Sequence, residues 1–199
     1  MSKITYVLAG PNGVGKSTKG EQFSKELSID FINPDEISRI QKIKNGNTPL
    51  TNAQLNYVLD VSINAVLETD GVVFIENNLH DDSCFRFLLS YIHKHNTRSI
   101  CRFYYLDDVQ ILIERVRERT KYLGHDVPEE TIRERHQSSI MKIVEHINAF
   151  DEVHFFDTSE LNEIKVLEVF DGQLNYVNEE ADFEWSNNIR DQLIDTSLT

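Results

Sequence analysis

Residues Gly10 to Ser17 constrain the fold more than any other part of the sequence. They read Gly-Pro-Asn-Gly-Val-Gly-Lys-Ser, with a short apolar and β-rich run, Ile4 to Ala9, directly before them. Residues 17–27 follow, with Phe23 and Leu27 one helical turn apart. Glycines allow the main chain to turn tightly where other residues are strained. The sequence therefore predicts a buried strand, a tight loop and a helix, in that order.

This arrangement suits phosphate binding. Inward-pointing N–H groups of a glycine-rich loop, together with the N-terminus of the next helix, attract phosphate oxygens. Lys16 is placed to reach the β- and γ-phosphates of a nucleoside triphosphate, and the Ser17 hydroxyl to bind Mg²⁺. The alternative is a glycine-rich turn that binds no ligand. The flanking strand and helix favour a phosphate-binding loop, or P-loop, at residues 10–17. Thr18 could assist at the α-phosphate or be an ordinary first-turn threonine. We predict ATP and Mg²⁺ as cofactors, bound by Gly10, Pro11, Asn12, Gly13, Val14, Gly15, Lys16, Ser17 and Thr18.

Strand-like and helix-like segments alternate over about the first 155 residues. This alternation predicts an α/β fold with a mainly parallel sheet and helices on both faces. Two later β-rich runs, Ile164 to Phe170 and Leu174 to Val177, are joined by Asp171-Gly172 and predict a C-terminal hairpin. A short amphipathic helix is expected at 182–193, with Trp185 as a packing anchor. We expect one P-loop domain over residues 1–199, with a helical lid at about 112–136 and the hairpin and last helix within 162–195.

Composition and charge exclude several classes of function. The chain has 199 residues and a formal net charge of -13, which disfavours broad binding to nucleic acid. It shows neither an apolar run of roughly 20 residues nor the pattern of a signal peptide, so we expect a cytoplasmic protein without a membrane span. Two cysteines, Cys84 and Cys101, are too few for a disulfide framework and are expected to be reduced core thiols.

Several motifs, in this order along the chain, resemble those of the zeta-toxin-like P-loop kinases. The resemblance extends over roughly residues 4–159, and its motifs are residues 9–18, 33–36, 74–76, 115–119, 124–128, 132–135 and 156–159. It implies the fold of the nucleoside monophosphate kinase group. It also implies phosphorylation of the amino-sugar hydroxyl of UDP-N-acetylglucosamine and restraint by an antitoxin protein. The chain departs from the family at Asn77-Asn78, where threonines are common, and in the loop Leu123-Gly124-His125, which has one glycine before the histidine.

The resemblance assigns roles to polar residues at two predicted strand ends. Asp35 is implied to be the base that accepts the proton of the acceptor hydroxyl; an N-cap carboxylate on the next helix is the alternative reading. Asn33 could be its functional neighbour or a turn residue. Glu76 could bind Mg²⁺ through water, contact the acceptor or be a partly solvated acid at the end of a strand, and acceptor contact is the favoured interpretation. Asn77, like Asn78, could hydrogen-bond a sugar or cap the helix that starts near residue 81, and His80 is expected on a surface loop.

The predicted lid is rich in arginine. Arg115 and Arg119 are four residues apart and share one helix face, so they can point at a common target. The resemblance singles out Arg119 and Arg135 as catalytic arginines that stabilise charge on the transferring phosphoryl group. The alternative is that these arginines only form ion pairs with neighbouring glutamates on a solvated face. We interpret Arg117 and Arg133 in this way, as surface residues. The resemblance also places His125 in the lid and residues 157–159 near the nucleotide base.

These features favour an ATP-dependent kinase that transfers the γ-phosphate to a hydroxyl of a small molecule. The first candidate acceptor is a UDP-activated amino sugar, and the chain could be the toxin of a toxin–antitoxin pair. A kinase for another sugar, nucleoside or nucleotide is the main alternative. A nucleotide-binding switch without an acceptor is a further one, because it needs the P-loop but not Asp35 with the lid arginines.

Overall fold

The computed structural model describes residues 3–121 and 127–196. Strands and helices alternate through most of the chain, as the sequence predicts. The strands are β1 (Ile4–Ala9), β2 (Phe31–Ile32), β3 (Val72–Asn77), β4 (Arg98–Tyr105), β5 (Glu152–Asp157), β6 (Ile164–Phe170) and β7 (Gln173–Val177). The helices are α1 (Lys16–Leu27), α2 (Pro34–Lys44), α3 (Asn52–Thr69), α4 (Asp82–His95), α5 (Val109–Thr120), α6 (Glu129–Glu145) and α7 (Glu184–Thr196).

The strands form one sheet in the order β2-β3-β1-β4-β5-β6-β7. The first five strands in this order are parallel, and β6 and β7 run antiparallel to their neighbours. Strand β1 lies in the middle, between β3 and β4. The carboxyl ends of the parallel strands therefore meet at one edge of the sheet, where ligands bind in open α/β folds.

Helices cover both faces of this sheet, which explains the continuous apolar runs in the parallel strands. Side chains alternate across β4: Phe103 and Tyr105 belong to a core that includes residues of α3, α4 and α7. Tyr104, between them, belongs to a second core formed with α5 and the start of α6. The predicted α/β architecture is confirmed.

Short polar side chains set several helix boundaries. Thr51 and Gln54 form a reciprocal capping box at the start of α3, and Asp81 caps α4. Residues 129–149 do not form one continuous helix: α6 ends at Glu145 and a 3₁₀ turn follows at Ile147–Ala149. At this point the ring of His146 stacks on Phe85, 4.3 Å between centroids, so a tertiary contact competes with continuation of the helix.

The C-terminal hairpin forms where it was predicted. Strands β6 and β7 are joined by Asp171 and Gly172, whose φ angles of 46° and 73° are those of a tight hairpin turn. Helix α7 ends three residues later than expected, at Thr196. Within the described ranges 3–121 and 127–196, no helix combines the length and apolar character that crossing a bilayer requires.

Candidate active site

The glycine-rich loop connects β1 to α1 at the centre of the sheet. Gly10 has a φ of 128°, and a Cβ there would lie 2.1 Å from the carbonyl oxygen of Tyr104. Gly13 has a φ of 91°, and its Cβ would lie 2.7 Å from the carbonyl oxygen of Leu112. Both positions therefore need glycine for conformation and for close approach of neighbouring main chain. This requirement explains why the loop can curl tightly at the end of β1.

The other loop residues differ in exposure. Pro11, Asn12 and Val14 are buried, with Val14 packed in the α5-side core. Gly15 is exposed and is the N-cap of α1, with a φ of 95°. Thr18 is exposed on the first turn of α1.

Lys16 is held beneath the loop as a buried cation. It is 4% exposed, and its Nζ donates to the carbonyl oxygens of Gly10, at 2.7 Å, and Pro11, at 2.8 Å. Burial is the main cause that lowers the pKa of Lys16 to about 8. The carboxylates of Glu76 and Asp35 raise this pKa, which shows that both lie within electrostatic reach of the ammonium group.

Three polar groups meet at the end of β3. Ser17 Oγ donates to Glu76 Oε2 at 2.8 Å, and Asn33 Nδ2 donates to the same oxygen at 2.9 Å. Lys16 Nζ lies 4.0 Å from the other oxygen of Glu76. Glu76 thus faces the predicted Mg²⁺-binding hydroxyl, whereas the sequence reading favoured contact with the acceptor.

Asn33 and Asp35 have different roles at the start of α2. Asn33, not Asp35, is the N-cap: its Oδ1 accepts from the main-chain N–H groups of Asp35 and Glu36, at 3.0 and 3.2 Å. Pro34 occupies the first helical turn, where its missing N–H costs nothing. The alternative in which Asp35 caps the helix is therefore wrong, and the Asp35 carboxylate is exposed on the first turn.

Arg135, on α6, reaches across to the loop. Its Nη1 donates to Asn12 Oδ1 at 3.1 Å, and its charge acts on Lys16 by lowering the lysine pKa. The next residue, His136, anchors α6: its ring stacks on Tyr105 with centroids 4.6 Å apart, and its Nε2 lies 2.9 Å from the carbonyl oxygen of Leu106. The sequence reading did not include His136.

Arg115 and Arg119, on α5, were expected to point at a common target. In the structure, Arg115 instead binds main-chain oxygens after β5. Arg115 Nη2 donates to the carbonyl oxygens of Thr158 at 2.9 Å and Ser159 at 3.5 Å, so it holds the loop after β5. Arg119 is exposed, and its charge also lowers the pKa of Lys16. The reading of Arg117 and Arg133 as surface residues agrees with the structure, where each is exposed and pairs with Glu129 at 2.7 Å.

Asn77, the last residue of β3, and His80 beyond it make contacts that the sequence did not predict. The Oδ1 of Asn77 accepts from the N–H of Leu79 at 2.9 Å, so it closes a turn around Leu79, whose φ is 48°. His80 is half-buried beside the site instead of lying on an outer loop. Burial lowers the pKa of His80, and the charges of Arg135 and Lys16 lower it further. Its position three residues beyond the end of a buried strand was the available signal. His125 and residue 124 of the predicted lid lie outside the described residues.

No protein-family model matches the chain. Over 85 residues it is 33% identical to a shikimate kinase of Wigglesworthia glossinidia brevipalpis, a match that covers 37% of this chain and 44% of that enzyme. The match therefore concerns less than half of the shikimate kinase.

Solved structures match over nearly the whole chain. A chain of the AvrRxo1-ORF1:-ORF2 complex, crystallised with ATP, is 11% identical with a TM-score of 0.64. That match covers 96% of this chain and 63% of the other. A chain of the PezAT chromosomal toxin–antitoxin system of Streptococcus pneumoniae is 11% identical with a TM-score of 0.56, over 99% of this chain and 88% of the other. Likeness at such low identity concerns the fold, which is the α/β fold of the P-loop NTPases.

Proposed function

We propose that this protein is an ATP-dependent kinase that phosphorylates a hydroxyl group of a small molecule. One observation carries the proposal: the buried Lys16 lies under the electrostatic influence of two carboxylates, Asp35 and Glu76, and of two arginines, Arg119 and Arg135. These groups come from four different helices or strands. A simple nucleotide switch needs the lysine but not this surrounding set.

The loop and its neighbours fit a nucleoside triphosphate. The positive φ angles of Gly10, Gly13 and Gly15 give the loop the shape in which successive N–H groups can face phosphate oxygens. Lys16 would move its hydrogen bonds from the two loop carbonyls to phosphate. Bound ATP would supply the phosphoryl group, and Mg²⁺ would neutralise part of the phosphate charge.

Ser17 and Glu76 are the residues that we propose for the metal. A hydroxyl and a carboxylate are oxygen donors, the kind that Mg²⁺ prefers. The 2.8 Å hydrogen bond between them sets both donors at the same point, next to Lys16. Asn33 holds the Glu76 carboxylate from the other side, at 2.9 Å, and would preserve its orientation.

Asp35 would act as the general base. The acceptor hydroxyl loses its proton to the Asp35 carboxylate as its oxygen forms the new bond to phosphorus, and ADP departs with the electrons of the broken phosphoanhydride bond. Because Asn33 satisfies the α2 N-terminus, the Asp35 carboxylate does not have that structural task. Arg119 and Arg135 would stabilise charge on the phosphoryl group in transit, as arginines do in such sites.

A UDP-activated amino sugar, UDP-N-acetylglucosamine, is the first acceptor that we propose. The ordered zeta-toxin-like motifs in the sequence support it, and so does the likeness of fold to a PezAT chain over 99% of this chain. The same resemblance supports an antitoxin protein as a partner. The local identity to shikimate kinase favours a second candidate, a kinase for another small hydroxyl compound.

The Asp35→Asn variant tests the proposal, with Glu36→Gln as its matched control on the same helical turn. Glu36 is exposed and pairs with Arg39, so its substitution should leave activity near the wild-type value. We expect Asp35→Asn to bind a non-hydrolysable ATP analogue normally and to lose roughly 10²–10⁴-fold in phosphoryl transfer. Unchanged turnover in Asp35→Asn would show that the residue is not the base.

A further inference from the structure

The C-terminal helix α7 begins against the edge of the sheet where the proposed site lies. Trp185, in its first turn, is 4% exposed, and its Nε1 donates to Asp157 Oδ2 at 3.0 Å. The main-chain N–H of Trp185 donates to the carboxylate of Asp107, which follows β4. Burial raises the pKa of Asp107, and this hydrogen bond opposes the rise. Helix α7 is therefore attached to the carboxyl ends of both β4 and β5.

Asp157 also hydrogen-bonds within the loop of residues 157–159, which we call the β5 loop. Its second oxygen, Oδ1, accepts from the N–H of Ser159 at 2.8 Å. Thr158 donates its N–H to the carbonyl oxygen of Tyr105 at 2.9 Å, and Arg115 donates to the Thr158 carbonyl. The carboxylate of Asp157 thus bonds helix α7 through one oxygen and the β5 loop through the other.

The Trp185 N–H matters because Asp157 is buried, with 1% of its surface exposed. A buried carboxylate is costly unless hydrogen-bond donors compensate it. Removing the indole N–H would leave Oδ2 without this donor, and the carboxylate would then shift. Such a shift moves the acceptor that orients the N–H of Ser159.

The β5 loop lies where a nucleotide base would reach. In the sheet order, β5 is two strands from β1, and strand spacing puts it about 10 Å away. On the opposite side of β1, the ends of β3 and β2 carry Glu76 and are followed by Asp35, which we assign to metal and acceptor. A triphosphate bound at the end of β1 therefore has its nucleoside on the side of β4 and β5.

We propose that Trp185 is a positioning residue that holds the β5 loop in place for the nucleotide base, so that helix α7 forms part of the nucleotide site. This inference rests on the proposed function, since it needs a nucleoside triphosphate at the P-loop. Trp185 does not contact the nucleotide itself. It acts through Asp157.

The contribution of the base to affinity can be measured apart from that of the phosphates by comparing two ligands. These are a non-hydrolysable ATP analogue and inorganic tripolyphosphate, and the affinity of each is measured with Mg²⁺ by calorimetry. The test variant is Trp185→Phe, which keeps an aromatic ring against Tyr105 and removes the N–H. The control is Ile189→Val, a buried residue one turn later on α7 that touches neither Asp157 nor the loop in any contact described. We expect Trp185→Phe to weaken binding of the ATP analogue roughly fivefold to tenfold, the effect of about one neutral hydrogen bond at the base, and to leave tripolyphosphate binding unchanged.

Trp185 is the chain's single tryptophan, so wild-type emission offers a second readout. It should change on addition of the ATP analogue and not with tripolyphosphate. If Trp185→Phe fails to fold, Asp157→Asn keeps the side-chain shape and should show the same selective loss.

The outcomes distinguish this inference from the proposed function. Unchanged affinity of the folded variant for the ATP analogue, or equal weakening of both ligands, would overturn the positioning role alone. If the wild-type protein bound the ATP analogue no more tightly than tripolyphosphate, the positioning role would also be overturned. Wild-type protein that binds neither ligand would overturn the proposed function together with the inference.

Discussion

Burial of Lys16 leads us to expect that nucleotide affinity depends on pH, by an amount that can be calculated. Its pKa falls from 10.5 to about 8 in the folded protein. At 1.36 kcal/mol per pKa unit, the site disfavours the charged lysine by about 3 kcal/mol relative to water. Phosphate oxygens would stabilise the ammonium form, so nucleotide binding should raise the pKa again. Affinity is then full below pH 8 and falls as pH rises through 8, by up to about tenfold per pH unit.

Calorimetry can measure this linkage directly as proton uptake. A non-hydrolysable ATP analogue is titrated with Mg²⁺ at pH 7, 8 and 9, each in two buffers with different ionisation enthalpies. For a pKa of about 8 in the unliganded protein, binding should take up about 0.1 proton at pH 7, about 0.5 at pH 8 and about 0.9 at pH 9. The same series gives the decline in affinity independently.

Lys19→Gln is the matched control, because Lys19 is a lysine on the same helix that pairs with Glu163 at 3.2 Å. It should keep the wild-type uptake curve, whereas Lys16→Met should lose the uptake along with most of the affinity. Uptake that stays near zero up to pH 9.5 in the wild type would show that Lys16 is already charged in the unliganded protein and that burial does not lower its pKa.

Three further predictions concern the loop, the α2 cap and the lid. Gly10→Ala should lower the free energy of unfolding by about 3 kcal/mol or more in urea, because its Cβ would lie 2.1 Å from a carbonyl oxygen; Gly46→Ala, also at positive φ but in open space, should cost about 1 kcal/mol. Asn33→Ala should cost about 1 kcal/mol through the lost cap and should reduce turnover, since Glu76 loses a donor; unchanged turnover would contradict its orienting role. Arg135→Ala should reduce kcat at least tenfold while Arg133→Ala leaves it unchanged, and equal effects of the two in steady-state assays would count against the assignment.

Local signals in the sequence were sufficient to predict most of the fold. Continuous apolar runs such as Val72 to Ile75 indicate strands buried on both faces, and the Asp171-Gly172 pair specifies a tight hairpin turn. Helix ends were harder to predict. The end of α6 depends on the contact of His146 with Phe85, a residue more than sixty positions earlier in the chain, and periodicity contains no information on such a contact.

The candidate site was predictable where chemistry follows a local pattern. The P-loop is such a case, because strand, glycines, lysine and serine are consecutive. The hydrogen bonds of Asn33 to Glu76 and of Arg115 to the loop after β5 depend instead on how separate elements pack. Helical spacing can place Arg115 and Arg119 on one face, but it cannot show that Arg115 donates to the loop after β5. His80 was misjudged for the same reason, since its neighbours Lys16 and Arg135 come from other elements.

We propose that this P-loop protein transfers phosphate to a hydroxyl group with Asp35 as the base. The most direct measurement incubates wild type and Asp35→Asn with ATP, Mg²⁺ and UDP-N-acetylglucosamine, beside a panel of sugars, nucleosides and shikimate, and follows the acceptors by mass spectrometry. We expect a mass gain of one phosphoryl group on an acceptor with the wild type, at a rate roughly 10²–10⁴-fold lower with Asp35→Asn. A wild-type protein that binds ATP but phosphorylates no acceptor in the panel, or an Asp35→Asn variant that does so at the wild-type rate, would contradict it.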